Sequence, residues 1–263
     1  PNMDIKNNHG FLAPPSDYSA IPWVSNHGWI LWGLAEHYKL THREKWLERI
    51  LPVILKGCDW IVRARKSTKL LSSTGDKLLG YGLLPAGTVS DDEGAGQYFS
   101  NEAHCYRGFK NCVDILLEIN HPHAKQLKKE IQDYLHDIQK TLHLAVQGSI
   151  RVKLADGEKS PYVPNEIHEL QPPVFRRENF WPYINYVDVG PLHLVDAEIL
   201  DPKSGIVDWI LKFEEKYTIA KLKKEISIDE NWCFSINHRG SIPAHLLRHG
   251  ISVIEPFYAP HAT

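Results

Sequence analysis

The chain has 263 residues, 43% of them hydrophobic and 24% charged, with a formal net charge of −2; this is the composition of a folded globular chain with a sizeable core. Near-neutral charge without any run of five or more like charges excludes a polyanion-binding scaffold, so no nucleic-acid partner is expected. No apolar stretch approaches the ~20 residues of a membrane span, and Cys58, Cys105, Cys112 and Cys233 form no Cys-x-x-Cys pair, which excludes a zinc ribbon and points to core thiols.

Taken in chain order, residues 25–40 read as a first helix. A second runs to residue 65, with Trp46, Leu47, Ile50, Leu51, Ile54, Leu55, Cys58, Ile61 and Val62 on a 3.6-residue stripe. Thr41 followed by Glu44 has the form of a capping box, in which hydroxyl and carboxylate each satisfy an orphan donor at the new helix's start. Pro52 lies inside that helix and removes one backbone hydrogen bond. The layout returns over residues 101–119, with a break at Asn120 and His121, Pro122 in the next first turn, and then Leu127, Ile131, Tyr134, Leu135, Ile138 and Leu142 on one face. A third pair is predicted over residues 189–200 and beyond, with Asp201 as N-cap, Pro202 as first helical residue, and Ile206, Ile210 and Phe213 continuing a stripe.

The tips begin after Leu40, Ile119 and Leu200, separations of 79 and 81 residues, and so regular a spacing is the mark of an architectural repeat. Tips inside the hairpins are about two residues long, whereas the links between hairpins cover roughly residues 66–100 and 148–188. A row of antiparallel hairpins collects all its long links on one side, and long loops in compact domains are usually functional. The second link holds a predicted β-hairpin, residues 151–154 paired near Tyr162 across Asp156-Gly157. The expected fold class is therefore all-α, a helical-hairpin repeat in one domain over residues 1–263, with a small β-hairpin in an inter-hairpin loop.

The run Gly80-Tyr81-Gly82-Leu83-Leu84-Pro85-Ala86-Gly87, then Asp91-Asp92-Glu93, then Tyr98-Phe99-Ser100-Asn101-Glu102-Ala103-His104-Cys105-Tyr106-Arg107-Gly108-Phe109 resembles the six-hairpin glycosidase superfamily, as does Gly28-Trp29-Ile30-Leu31-Trp32-Gly33-Leu34-Ala35-Glu36-His37-Tyr38. The resemblance covers about residues 18–217 and implies part or all of an (α/α)6 toroid that acts on carbohydrate. Six hairpins at ~80 residues would need roughly 480, so this chain supplies three to four. An open or truncated toroid is expected, completed by another domain, segment or subunit, and the start at Pro1 rather than Met agrees with a processed or partial chain. The compartment stays open.

Glycosidic cleavage usually needs two carboxyl groups, one to protonate the leaving oxygen and one to activate water or attack the sugar. Asp91, Asp92 and Glu93, in a loop bounded by Pro85, Gly87, Gly94 and Gly96, are the candidate acids, with Asp92 or Glu93 as donor and Glu230 in Asp229-Glu230-Asn231-Trp232 as candidate partner. Adjacent like charges push pKa values apart, which suits an acid. Trp23, Tyr81, His104, Arg176, Arg177, Trp181 and Tyr183 are the candidate substrate-binding residues, since sugar rings stack on aromatics and their hydroxyls need planar polar partners. Glu102, near a helix start, is read as favourable with the helix dipole. Trp29, Trp32, Trp46, Trp60 and Trp209 are read as core. His245 and His249 have helical i, i+4 spacing but no His-Glu-x-x-His pattern, and no metal or cofactor is expected. The reading is a glycoside hydrolase. Alternatives are a polysaccharide lyase using His104 or Tyr106 with Arg107, Arg176 or Arg177, and a non-catalytic carbohydrate- or protein-binding repeat.

Overall fold

The computed structural model describes residues 10–12, 23–89, 94–174, 186, 189–221 and 224. The chain falls into two compact units, residues 1–147 with 166–168, and residues 148–165 with 169–263. Among the described residues the secondary structure is mostly helical, with one two-stranded sheet, which agrees with the all-α class read from the sequence. No helix among them is long and apolar enough to cross a membrane.

The first unit contains α1 (Val24–Thr41), α2 (Glu44–Ser67), α3 (Phe99–Glu118) and α4 (Ala124–Gly148, whose last residue belongs to the second unit). α1 and α2 are antiparallel neighbours, because His27 lies against Gly57 and Trp60, and His37 against Trp46. Buried Leu47, Ile54, Cys58 and Ile61 of α2 follow the stripe expected from the sequence, and the helix runs through Pro52. Buried Leu127, Ile131, Tyr134, Ile138 and Leu142 do the same on α4.

α3 is different: every residue from Phe99 to Tyr106 is buried, so its first two turns have no solvent face. α1 and α3 run parallel in close contact, with Cys105 Sγ donating to Val24 O (3.3 Å) and Cys112 Sγ to Leu31 O (3.4 Å), both pairs 81 residues apart. Glycines permit this approach. A Cβ on Gly28 would lie 2.3 Å from the carbonyl carbon of His104, and one on Gly108 would lie 2.3 Å from Gly28 O. Cys58, Cys105 and Cys112 are free and buried, as expected of core thiols.

The first tip is built differently from the sequence reading. α1 continues through Thr41, whose hydroxyl donates back to His37 O at 2.7 Å instead of capping α2. His42 then takes a left-handed conformation (φ 47°) and its N–H donates to Tyr38 O at 2.7 Å. α2 starts after Arg43 with no side-chain cap. The capping box does not form because Thr41 still belongs to the preceding helix. Thr41→Ala is accordingly expected to change stability by no more than ~0.5 kcal/mol, since only an exposed back-bond is lost; urea denaturation of the full chain measures it. At the second tip Asn120 is left-handed (φ 54°) and Pro122 sits in the turn ahead of α4, not within its first turn.

His27 fastens residues 10–12 to this helical pair. Its Nδ1 accepts from Leu12 N–H (2.9 Å), so Nε2 carries the proton and donates to Gly57 O (3.1 Å), with Phe11 stacked on the ring and Trp60 tilted against it. Burial pushes its pKa down to about 3, so the ring is neutral.

In the second unit β1 (Arg151–Lys153) pairs antiparallel with β2 (Lys159–Pro161), Val152 opposite Ser160. The turn carries Asp156 and left-handed Gly157 (φ 89°), as the Asp-Gly signal predicts. The helix read over residues 189–200 is described only as α5 (His193–Asp196), and α6 (Gly205–Phe213) passes into a π-helix, Glu214–Ile219. Asp201 is not the N-cap of α6. Its side chain accepts from Lys203 N–H (2.8 Å) and its carbonyl from Ser204 N–H (2.9 Å) in a turn ahead of the helix, the conformation that Asp followed by Pro favours. Ser204 caps α6 by accepting from Val207 N–H. Of the tryptophans read as core, Trp60 is buried, whereas Trp29, Trp32, Trp46 and Trp209 are half-buried.

Candidate functional site

The link between α2 and α3 is held by side chains and by its own backbone bonds. It turns sharply at Gly80 (φ 81°) and Gly82 (φ 75°), with Leu83 N–H donating to Gly80 O (3.0 Å). Both positions require glycine twice over, by backbone sign and by space: a Cβ on Gly82 would fall 2.1 Å from Asp137 Oδ2, and one on Gly80 would fall 2.4 Å from Gln97 Oε1.

A buried charge network lies beneath this turn. Arg65, 1% exposed near the end of α2, donates from Nε to Gly82 O (2.7 Å), from Nη1 to Glu130 O (3.0 Å) and from Nη2 to Asp137 Oδ2 (2.9 Å). Its guanidinium lies 4.3 Å from the ring centre of Tyr134. Glu102 of α3, also 1% exposed, accepts from Leu84 N–H on both oxygens (3.1 and 3.2 Å) and from the Tyr134 hydroxyl (2.7 Å). Burial pushes the Glu102 carboxyl up to about 7, against the opposing pull of the Tyr134 hydroxyl, the Leu84 amide and Arg65. Burial likewise holds the Tyr134 phenol well above its ordinary range. Gln97 Nε2 donates to Leu84 O (2.6 Å) and the Thr68 hydroxyl to Leu83 O, so four side chains, two from helices α2 and α3 and two from the link itself, fix residues 82–84.

The loop then closes on a stem. Gly87 and Gly96 exchange both backbone bonds (2.9 and 3.0 Å), Tyr98 Oη donates to Gly94 O (3.1 Å), and Asn101 Nδ2 donates to Thr88 O (3.3 Å). Residues 166–168 brace the far side, with Gln97 N–H donating to Glu166 Oε1 (3.2 Å) and Ile167 N–H to Gln97 O (3.1 Å). Thr88 also forms a parallel bridge with Trp23, the residue ahead of α1. The starts of two parallel helices and the stem of the acidic loop thus meet at one end of this unit.

No family model matches the chain, and no curated protein is detectably similar to it.

Asp91, Asp92, Glu93, Arg176, Arg177, Trp181, Tyr183 and Glu230 lie outside the described residues. Of the remaining candidates, half-buried Trp23 stands at the loop stem. Half-buried Tyr81 lies in the glycine turn, with Lys77 Nζ 4.2 Å from its ring centre. His104 is buried and packs on Trp29 at 4.7 Å. Tyr106 is buried edge-on against Tyr134, and Arg107 lies over Trp32 at 4.4 Å, so these three side chains pack within or against the helices.

Glu102, Arg65 and Asp137 were missed from the sequence. Glu102 lies in the first turn of α3, as read from the sequence, and its carboxyl is in addition a buried acceptor for the loop. Two signals could have found Arg65 and Asp137. Arg65 follows Cys58 and Ile61 on the buried stripe of α2, and Asp137 sits between Tyr134 and Ile138 on that of α4. Opposite charges on two apolar stripes must meet or remain uncompensated. In the second unit, Glu214 at the head of the π-helix is buried, and burial raises its carboxyl well above the usual range.

Proposed function

We propose that this chain is a glycoside hydrolase of helical-hairpin architecture, part or all of an (α/α)6 toroid, with its chemistry on the acidic loop between α2 and α3. Asp92 or Glu93 is the proton donor, Glu230 the partner carboxyl, and Trp23 and Trp181 stack on the sugar. What carries the reading is the clamp on the loop: Gly87 and Gly96 close its stem, and the buried Arg65 and Glu102 groups hold its approach. General acid catalysis needs its donor presented in one geometry, because misplacement by about 1 Å can lose ~10²-fold in rate. The repeat is supported by the two α1–α3 contacts, each 81 residues apart, within two residues of the spacing between the first two tips.

The test is turnover of the full chain on a panel of neutral and uronic oligosaccharides, followed by new reducing ends and by ultraviolet absorbance. Asp92→Asn or Glu93→Gln is expected to lower turnover ~10² to 10⁴-fold with sugar binding nearly intact, since each keeps shape but loses the transferable proton. Trp181→Ala is expected to weaken binding instead. Full activity in both acid variants, or products that absorb in the ultraviolet as eliminated sugars do, sinks the reading. So does a parent that turns over none of the panel.

A further inference from the structure

Among the described residues of the first unit, Ser100 Oγ and Asn101 Oδ1 are the buried side-chain atoms with no hydrogen-bond partner. The two residues are 1% and 2% exposed, so bulk water does not satisfy them either. Such atoms are rare and costly in a native chain, and here they stand side by side at the start of α3. Asn101 Nδ2 donates to Thr88 O (3.3 Å), which leaves Oδ1, an acceptor only. Its place follows from the helix contact. Asn101 leads the stripe of α3 that faces α1: Cys105 Sγ reaches Val24 O, Gly108 lies against Gly28, and Cys112 Sγ reaches Leu31 O. One turn ahead of Cys105, Asn101 stands at the start of α1, where Trp23 bridges Thr88. Neither α1 nor α3 is capped by a side chain, so the first N–H groups of two long parallel helices open at this corner.

We propose that Ser100 and Asn101 form a subsite for a hydroxyl group of a neutral sugar, and that the substrate is a neutral oligosaccharide rather than a uronate. The corner offers hydrogens from the helix starts and the Ser100 hydroxyl, and lone pairs from Asn101 Oδ1. A sugar hydroxyl accepts and donates, so it satisfies both kinds at once. A carboxylate takes the N–H groups but sets its own lone pairs against Oδ1, whereas an ammonium accepts nothing and meets the positive ends of two helices. Half-buried Trp23 supplies a flat apolar surface on which a sugar ring packs. Exposed Gly94 and Ala95, beside the Gly87–Gly96 stem that leads into Thr88, place the corner just beneath the surface. As a statement about substrate this rests on the hydrolase reading, but the subsite is measured by binding alone.

The experiment is calorimetric titration of the full chain with maltohexaose, cellohexaose and mannohexaose, and with the form of each whose primary hydroxyls are oxidised to carboxylates, beside thermal denaturation without sugar. The parent is expected to bind at least one neutral hexaose about tenfold or more tighter than its oxidised form. Ser100→Ala removes a hydroxyl that no group of the fold uses, so affinity for that hexaose should fall roughly 3- to 10-fold while the melting temperature holds or rises. Ser100→Cys keeps the volume with a weak S–H donor and should lose affinity likewise. Asn101→Ala should lower both affinity and melting temperature, since it also gives up the Thr88 bond. A parent that binds no neutral hexaose, or binds an oxidised form as tightly, overturns the subsite. Unchanged affinity in both Ser100 variants does so equally, by assigning the corner to a structural water, and so does an affinity lost only together with thermal stability. Turnover is scored separately. A chain that binds a neutral hexaose through Ser100 but cleaves none keeps the subsite and loses the hydrolase reading; one that cleaves, with full affinity in the Ser100 variants, keeps the hydrolase reading and loses the subsite.

Discussion

Replacing Arg65 with alanine is expected to destabilise the chain by about 3 to 5 kcal/mol, a large part of the ~5 to 15 kcal/mol that a typical domain has. Three of the guanidinium's nitrogens donate at 2.7 to 3.0 Å, to Gly82 O, Glu130 O and Asp137 Oδ2, and its face lies on Tyr134. Alanine leaves the Asp137 carboxylate without its cation in a site only 8% exposed, and two carbonyls without their donors. The unpaired charge dominates the loss. Arg65→Lys should recover only a fraction, because a point charge cannot reach three acceptors in a planar fork. Adding Asp137→Asn to Arg65→Ala should return part of the stability by removing the stranded charge. Urea denaturation of the three variants measures this. If Arg65→Ala costs under ~1 kcal/mol, the network is solvated in solution and does not hold the turn.

The second large effect is expected at Gly28. An alanine Cβ there would lie 2.3 to 2.5 Å from the His104 carbonyl carbon and oxygen and the Cys105 nitrogen, all helix backbone that cannot rotate aside. α1 and α3 must separate, and the facing glycine Gly108 shows that the contact is close from both sides. The strain should exceed the ~1 kcal/mol that alanine gains over glycine in a helix interior, leaving Gly28→Ala destabilised by about 2 to 3 kcal/mol. Gly33 is the internal comparison. It lies on the same helix, exposed, with nothing within 4 Å of its missing Cβ, so Gly33→Ala should stabilise by roughly 0.5 to 1 kcal/mol. Opposite signs for two glycines five residues apart would tie the effect to the crossing; equal signs would mean that α1 and α3 do not pack this closely.

The helices of the first unit were legible in the sequence because α2 and α4 each bury one stripe and expose the rest, which writes a 3.6-residue period into the letters. The β-hairpin was legible because Asp156-Gly157 suits one short turn. The acidic loop stood out through its glycines and its charge. Helix ends were less legible. Thr41-x-x-Glu44 has the letters of a cap, but whether Thr41 ends one helix or begins the next depends on where the chain adopts a left-handed residue, and that fell on His42. Asp201-Pro202 has the letters of a helix start, yet a local turn satisfied the same groups and Ser204 took over the cap.

What only the tertiary structure decided is the interior of the first unit. α3 is buried all round over its first two turns, so it carries no polar face and no period, and nothing in the letters separates Glu102 from an ordinary surface acid. Its role came from three partners distant in sequence: Leu84 by 18 residues, Tyr134 by 32, and Arg65 through its charge. The same holds for Gly82, whose need for glycine is set by the Asp137 carboxylate from another helix as much as by its own φ. Composition and periodicity determine which faces are apolar and so which elements form. Which polar groups end up buried together depends on how those faces meet, since the penalty for an unpaired buried charge arises only once the helices have closed over it.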